Sequence, residues 1–385
     1  MGLPLRETMT MLKKLEGYDL VLLLMVVALT SFGVVMVYSA SSVMAAKNFQ
    51  DGAFFLKRQG TFALIGFTVA AIAMRIDYHV WQRLAVPLLL LSLVLLVLVL
   101  IPGIGGKIKG ASRWIRLPGF NLQPSEFAKI ALIMYLAYSI AKKQDKIKSL
   151  SAGFLPYMIV LMVLLLLLLK QPDLGAALTL AGVTILLLFT AGTRLVFIIG
   201  TMMVAAPFVW YLIYTSAYRW KRMKAFLNPE LDPTGIGWQI TQSKYAFGAG
   251  GLLGQGLGEG KQKLFYLPEA HTDFILSVVG EELGFVGVVV IIGMFFIVVQ
   301  RAMRIAMATQ EPFGRFLAMG IAILLAIEAT VNMGVVTGML PTKGLALPFI
   351  SYGGSSLLVS LFAVGVLLNI SSRIKGGALM EKKAS

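Results

Sequence analysis

Long apolar stretches separated by short polar clusters dominate the chain. A helix needs roughly 17–25 mainly apolar residues to cross the ~30 Å hydrocarbon layer of a bilayer. Ten segments have that character: 20–38, 60–76, 84–101, 126–141, 154–169, 174–191, 195–215, 274–299, 316–338 and 352–370. Stretches such as Val86 to Ile101 and Leu161 to Leu169 carry no charge. They are read as helical because a lone strand cannot satisfy its backbone in lipid. The second and fourth segments are the weakest. The pattern predicts an all-α polytopic membrane protein of about ten transmembrane helices, organised as a single membrane domain over 1–385. One long loop, 217–273, joins helices seven and eight, with an N-terminal segment 1–19 and a C-terminal tail 371–385.

Composition sharpens this. Hydrophobic residues are 58% of the 385 and charged residues 14%, against about 25% charged in an ordinary soluble domain. Soluble enzyme, disordered chain and fibrous repeat are excluded. There is no cysteine, which removes disulfide, thiolate and cysteine–metal chemistry. Two histidines, His79 and His271, leave little for a multi-histidine metal site. Arg6, Lys13 and Lys14 precede the first apolar run as in a secretory signal, but that run is 19 residues long and a signal core is about 7–15. An uncleaved first span is expected. Met1-Gly2 with Arg6 does not make a lipid-anchor motif.

Ten spans place both termini on one side. That side holds 17 of the 34 Lys and Arg, the other 16. The positive-inside rule applies best to short loops, and without 217–273 the balance is 17 against 9, so cytoplasmic termini are expected. Cations kept on the outer face suggest an anionic group held there, or plain contact with lipid headgroups.

The long loop opens with Tyr218-Arg219-Trp220-Lys221-Arg222-Met223-Lys224, a pattern for a helix at headgroup level. An outward-facing loop has little occasion to meet a nucleic acid, and none is expected as partner. Asn228 to Pro233 is turn-rich. Seven glycines fall between Gly248 and Gly260, and this reads as a flexible loop, with a diphosphate cradle as the alternative. Asp273 stands where the loop becomes the eighth span. Position alone favours an N-cap; an ionised carboxylate at a membrane face could also serve as general base. Glu269, four residues earlier, would join it if the turn were helical.

Charges also fall inside spans. Glu126 and Lys129 are three apart, on one helix face, and should neutralise each other. Glu281, Glu282 and Glu328 are open to two readings, a proton or ion relay and interhelical hydrogen bonding. Residues 338–356 hold two prolines and four glycines, so a re-entrant or broken segment is expected there, with Lys343 as a fixed cation beside it. Interfacial snorkelling is the plainer account of a lone lysine.

At these motifs the sequence resembles a known family. Leu267-Pro268-Glu269-Ala270-His271-Thr272-Asp273-Phe274-Ile275, with Gly280-Glu281-Glu282-Leu283-Gly284, is similar to the signature of the SEDS proteins (shape, elongation, division and sporulation). Lys109-Gly110-Ala111-Ser112-Arg113-Trp114-Ile115, Gln123-Pro124-Ser125-Glu126, Gln171-Pro172-Asp173-Leu174-Gly175 and Gly237-Trp238-Gln239 extend the likeness over nearly the whole chain. Pro268 to His271 and Leu340 to Leu345 look more like the division branch than the elongation branch.

The resemblance implies a ten-helix peptidoglycan glycosyltransferase at the outer face of the cytoplasmic membrane, at the division septum. Its substrate would be lipid II, a disaccharide-pentapeptide on undecaprenyl diphosphate. Family membership places the essential carboxylate at Asp273. It lends no such support to Glu328, where close relatives carry glutamine. An acceptor sugar hydroxyl would attack the donor's anomeric carbon as the lipid diphosphate departs. Asp273 would take the proton, an ordinary carboxylate (pKa about 3.9) being ionised at neutral pH. Lys109, Arg113 and Lys343 are candidates to stabilise the leaving diphosphate, with Glu269 and His271 as further substrate contacts. No cofactor is certain; a divalent cation such as magnesium or manganese could share the charge. The implied partners are a class B penicillin-binding protein transpeptidase, other division-complex membrane proteins and the membrane lipids. A lipid II flippase and a non-catalytic division scaffold are the competing functions.

Overall fold

The computed structural model describes residues 17–108, 111–117, 120–231, 235–264 and 266–384. In chain order the elements are α1 (Leu20–Phe49), α2 (Phe54–Arg75), α3 (Tyr78–Leu98), β1 (Gly105–Ile108), β2 (Ala111–Leu117), β3 (Phe120–Leu122), α4 (Pro124–Lys142), α5 (Leu155–Lys170) and α6 (Leu174–Thr190). Then follow α7 (Leu195–Tyr214), α8 (Ala217–Leu227), α9 (Ile236–Gly250), α10 (Ile275–Ala308), α11 (Pro312–Val336) and α12 (Gly354–Ala384). Each predicted span has its helix. Among the described residues seven are long and apolar enough to cross a membrane, and α6 is apolar but shorter. The other two are α2, with Lys57, Arg58 and Arg75, and α4, with Glu126 and Lys129: the two segments whose sequence signal was weakest. The chain is a multi-pass membrane protein.

Short-range chemistry sets the ends. Asp19 caps α1 through the Leu22 N–H (3.0 Å) and is held by Arg301 of α10 at 2.7 Å. Asp173 caps α6 through the Ala176 N–H (3.2 Å), and proline opens α4 and α11, where its missing N–H costs nothing. At 30 residues α1 is about 45 Å long, so it runs well past the predicted end at 38. The all-helical reading also missed a small antiparallel meander, β1–β2–β3, between α3 and α4. Strands this short carry too little alternation to stand out beside apolar runs.

The core centres on α4, α11 and α12, while α7 is peripheral, with Ile198 its buried residue. Lys129, 2% exposed, donates to Glu126 at 2.8 Å and to Glu328 on α11. The pairing expected within α4 is therefore present, and it extends to α11. Glu328 belongs to an interhelical ion cluster, as the hydrogen-bonding reading held.

The glycine-rich stretch is not a loose loop. Gly284 has φ +65° and breaks α10 into two helices, freeing backbone groups that lipid could not satisfy. Residues 251–256 satisfy them: Phe285 and Val286 N–H donate to the Gly251 and Leu252 carbonyls (2.9 and 3.1 Å), and Gln255 and Gly256 N–H donate to those of Glu281 and Glu282 (3.0 Å each). A Cβ at Gly254 would lie 2.2 Å from the Glu282 carbonyl. The glycines thus admit a second backbone, and the phosphate-cradle reading gives way to this one. Glu281 accepts from the Lys261 N–H at 2.7 Å. Glu282, fully buried, accepts from Gly258 N–H (3.1 Å), Ser39 Oγ of α1 (2.7 Å) and Lys263 Nζ (2.7 Å).

Candidate active site

Asp273 ends the 251–274 connection, half-buried. The cap position of α10 is Phe274, which makes no side-chain cap bond; Asp273 stands one residue before it. The preceding turn is not helical. Glu269 has φ +59°, its carbonyl accepts from Thr272 and Phe274 N–H (3.1 and 3.2 Å), and its carboxylate accepts from Thr272 Oγ1 at 2.8 Å.

Three consecutive carbonyls then tie this turn to the last connection and α11. Tyr352 N–H donates to His271 O at 3.0 Å, Ser351 Oγ to Thr272 O at 2.6 Å, and Asn332 Nδ2 to Asp273 O at 2.9 Å. Asn332 also donates to Leu345 O at 2.7 Å, which brings the two connections side by side. A Cβ at Gly344 would sit 3.2 Å from Asp273 Oδ2. The His271 ring packs against Phe55 (4.7 Å between centroids) and Tyr352 (5.7 Å).

The last connection is non-helical over 337–353, as its prolines and glycines predict. Leu347, Phe349 and Ile350 bury in the protein, the setting in which irregular backbone survives at membrane depth. Lys343 lies on it, half-buried, and burial pulls its pKa from 10.5 down to about 8. Its ammonium has no hydrogen bond or ion pair among the described residues.

The 342–345 segment joins Asp273 to two cations. At one end Leu345 packs against Gly175, where a Cβ would meet it at 3.3 Å, beside Asp173. There Arg113 on β2 donates from Nε to Gln171 O (3.3 Å) and from Nη2 to Pro172 O, with Nη1 4.0 Å from Asp173. At the other end Arg222 of α8 donates from Nη1 to Thr342 O at 3.2 Å. Of the predicted residues, the structure gathers Asp273, Glu269, His271 and Lys343 in one place and links Arg113 to them through Leu345. Lys109 lies outside the described residues. Sequence reasoning missed Asn332 and Arg222. A lone asparagine inside an apolar helix was the available signal for the first; for the second it was an arginine on the headgroup helix.

Among the described residues, no group of three or more His, Asp or Glu could hold a metal ion.

A mainly helical membrane fold with a carboxylate stitched between two broken connections defines a polytopic membrane enzyme. Residues 19–376 match the profile of the cell cycle protein family of FtsW, RodA and SpoVE, and the chain belongs to that family, with the FtsW members. The probable peptidoglycan glycosyltransferase FtsW of Trichlorobacter lovleyi is 79% identical over 371 residues, 96% of this chain and 97% of its own. A chain from a structure described as the structural coordination of polymerization and crosslinking by a peptidoglycan synthase complex superposes with TM-score 0.77 at 29% identity, covering 93% of this chain and 98% of that one. An aspartate-to-alanine mutant of the rod shape determining protein RodA of Thermus thermophilus gives 0.68 at 27%, covering 92% and 97%.

Proposed function

We propose that Asp273 is the general base of a peptidoglycan glycosyltransferase that polymerises lipid II into glycan strands for the division septum. The observation that carries this is the fixing of Asp273 by carbonyl bonds at 271, 272 and 273, which holds its carboxylate beside Gly344, the chain neighbour of Lys343. A base positioned in this way lowers the entropic cost of reaching the attacking hydroxyl.

The acceptor hydroxyl loses its proton to Asp273 as its oxygen bonds the donor's anomeric carbon. The bond from that carbon to the lipid diphosphate breaks, and the diphosphate leaves with the electron pair. Cations placed where that charge develops stabilise the transition state more than the ground state. Arg113 and Lys343 take this role; Lys109 belongs to the same proposal on its sequence position. The site faces outward and both termini are cytoplasmic, a topology supported by the short-loop charge balance. The solved relative from a peptidoglycan synthase complex supports a penicillin-binding protein as partner, and a class B transpeptidase is the kind proposed.

The test is polymerisation of purified lipid II by wild type and Asp273→Asn, each reconstituted with its transpeptidase. Glycan ladders from wild type alone, with the variant folded and partner-bound, are expected. Equal ladders from both would remove Asp273 from the chemistry. Translocation of lipid II with no glycan from either protein would make this a flippase.

A further inference from the structure

The end of the 342–345 segment opposite Arg113 carries cationic and polar groups with no counterpart in the fold. Arg222 spends Nη1 on the Thr342 carbonyl (3.2 Å) and Nη2 on the Tyr218 hydroxyl, with its guanidinium 4.6 Å from the Tyr218 ring centroid. Its Nε is buried and has no partner. Thr342 is 5% exposed, and its Oγ1 is also buried without a partner. Lys343 follows, with no bond to its ammonium. Among the described residues no carboxylate pairs with Arg222 or Lys343. Buried donors are ordinarily satisfied, and a guanidinium fork with spare N–H groups matches phosphate oxygens.

Joining two lipid-linked saccharides brings two lipid diphosphates to one carboxylate. Arg113 stands at the Leu345 end of the segment, Asp273 touches its middle at Gly344, and Arg222 stands at the Thr342 end. We propose that Arg222 and Thr342 form a second phosphate subsite, for the diphosphate not held by Arg113, at the opposite end of the segment, with Lys343 standing between the two ends in the chain. This rests on the glycosyltransferase reading. Two other cations of α8 are differently placed: Arg219 donates to Leu212 O at 3.2 Å and Lys224 lies over Trp220 at 5.6 Å, positions suited to bilayer headgroups.

The full chain in phosphatidylcholine nanodiscs is titrated with farnesyl diphosphate and, separately, farnesol, following intrinsic tryptophan fluorescence. Arg222→Gln should weaken farnesyl diphosphate binding roughly 10- to 100-fold and leave farnesol unchanged. Arg222→Lys should lose less, and Thr342→Val, which alters no charge, should weaken the diphosphate a few-fold. Arg219→Gln should bind like wild type, and phosphatidylglycerol in the disc should not compete. Wild-type affinity in a folded Arg222→Gln protein overturns the subsite. Equal losses in Arg219→Gln, erased by phosphatidylglycerol, would make it a headgroup contact and overturn it as well. If Arg222→Gln does not fold, Arg222→Lys and Thr342→Val decide on the same criterion. Repeating the titration in Asp273→Asn separates the two proposals: binding reports the subsite whether or not that variant makes glycan.

Discussion

Asp273 and Gly344 come from different connections, yet a Cβ at 344 would lie 3.2 Å from Oδ2 of Asp273. That gap is tighter than ordinary carbon–oxygen contact, so an alanine there must push the carboxylate by a few tenths of an ångström. A displacement of about 1 Å in a reacting group costs roughly 100-fold in rate. Gly344→Ala should therefore lower kcat a few-fold and Gly344→Val considerably more. Melting temperatures should barely change, because Gly344 is exposed and the backbone is not strained there. A large drop in melting temperature would show instead that Gly344 is a structural position.

Lys343 sets a pH limit. Burial lowers its pKa to about 8 from 10.5, so between those values the unfolded chain binds more protons than the folded one. Stability should accordingly rise with pH across about 8 to 10.5, and the cost of burying the charge stands in full below about 8. Activity should run the other way. The cation that steadies the diphosphate is lost as pH rises through 8, and kcat/KM should fall by up to about tenfold per unit. Lys343→Arg, protonated throughout, should move this alkaline limb upward. A limb near pH 8 unchanged in Lys343→Arg would assign it to another group.

The ion cluster beneath the site makes an asymmetric prediction. Removing Lys129 leaves Glu126 and Glu328 buried without a counter-charge, and breaking such a cluster costs roughly 3–5 kcal/mol. Lys129→Met should melt far earlier than wild type in detergent. Glu328→Gln leaves a neutral Lys129–Glu126 pair and should be tolerated, and it should partly rescue Lys129→Met. Absence of rescue would mean that the two helices are not coupled through these charges.

The break in α10 gives a fourth prediction. Lys263 neutralises Glu282 at 2.7 Å and so holds residues 258–263 against α1 and α10. Lys263→Met should expose 250–263 to proteolysis and to amide exchange before the rest of the protein opens. Uniform protection in that variant would show that the backbone bonds suffice alone.

Much of this was legible in the residues, for reasons that differ from place to place. The ten helices follow from hydrophobic runs because lipid leaves the chain few other choices. Glu126 with Lys129 was readable from a spacing of three. The third member, Glu328, was not, because it lies 199 positions further along the chain than Lys129 and only packing brings it there. Asp273 was visible as a carboxylate at a junction. Its carbonyl ties to Asn332 and, through residues 271 and 272, to Ser351 and Tyr352 depend on how two irregular connections lie together, and no periodicity reports that. The glycines of 248–260 were visible as freedom, but what occupies the space they leave is another stretch of the same chain. The 105–122 meander was obscured because three short strands between long helices have no pattern strong enough to compete.

The pairing of residues 251, 252, 255 and 256 with 285, 286, 281 and 282 is a register, like the teeth of two combs. Asp273 lies on the strip of chain between the two sets of teeth, so the number of residues in that strip is part of the site's geometry. Away from Asp273, Lys263 and the tightly packed Gly260 and Gly280, substitutions from 257 to 280 can be absorbed one at a time, but a single inserted or deleted residue must either slip the teeth or drag the carboxylate away from Gly344. Across the descendants of this sequence, this stretch should change its letters freely where side chains permit and almost never change its length.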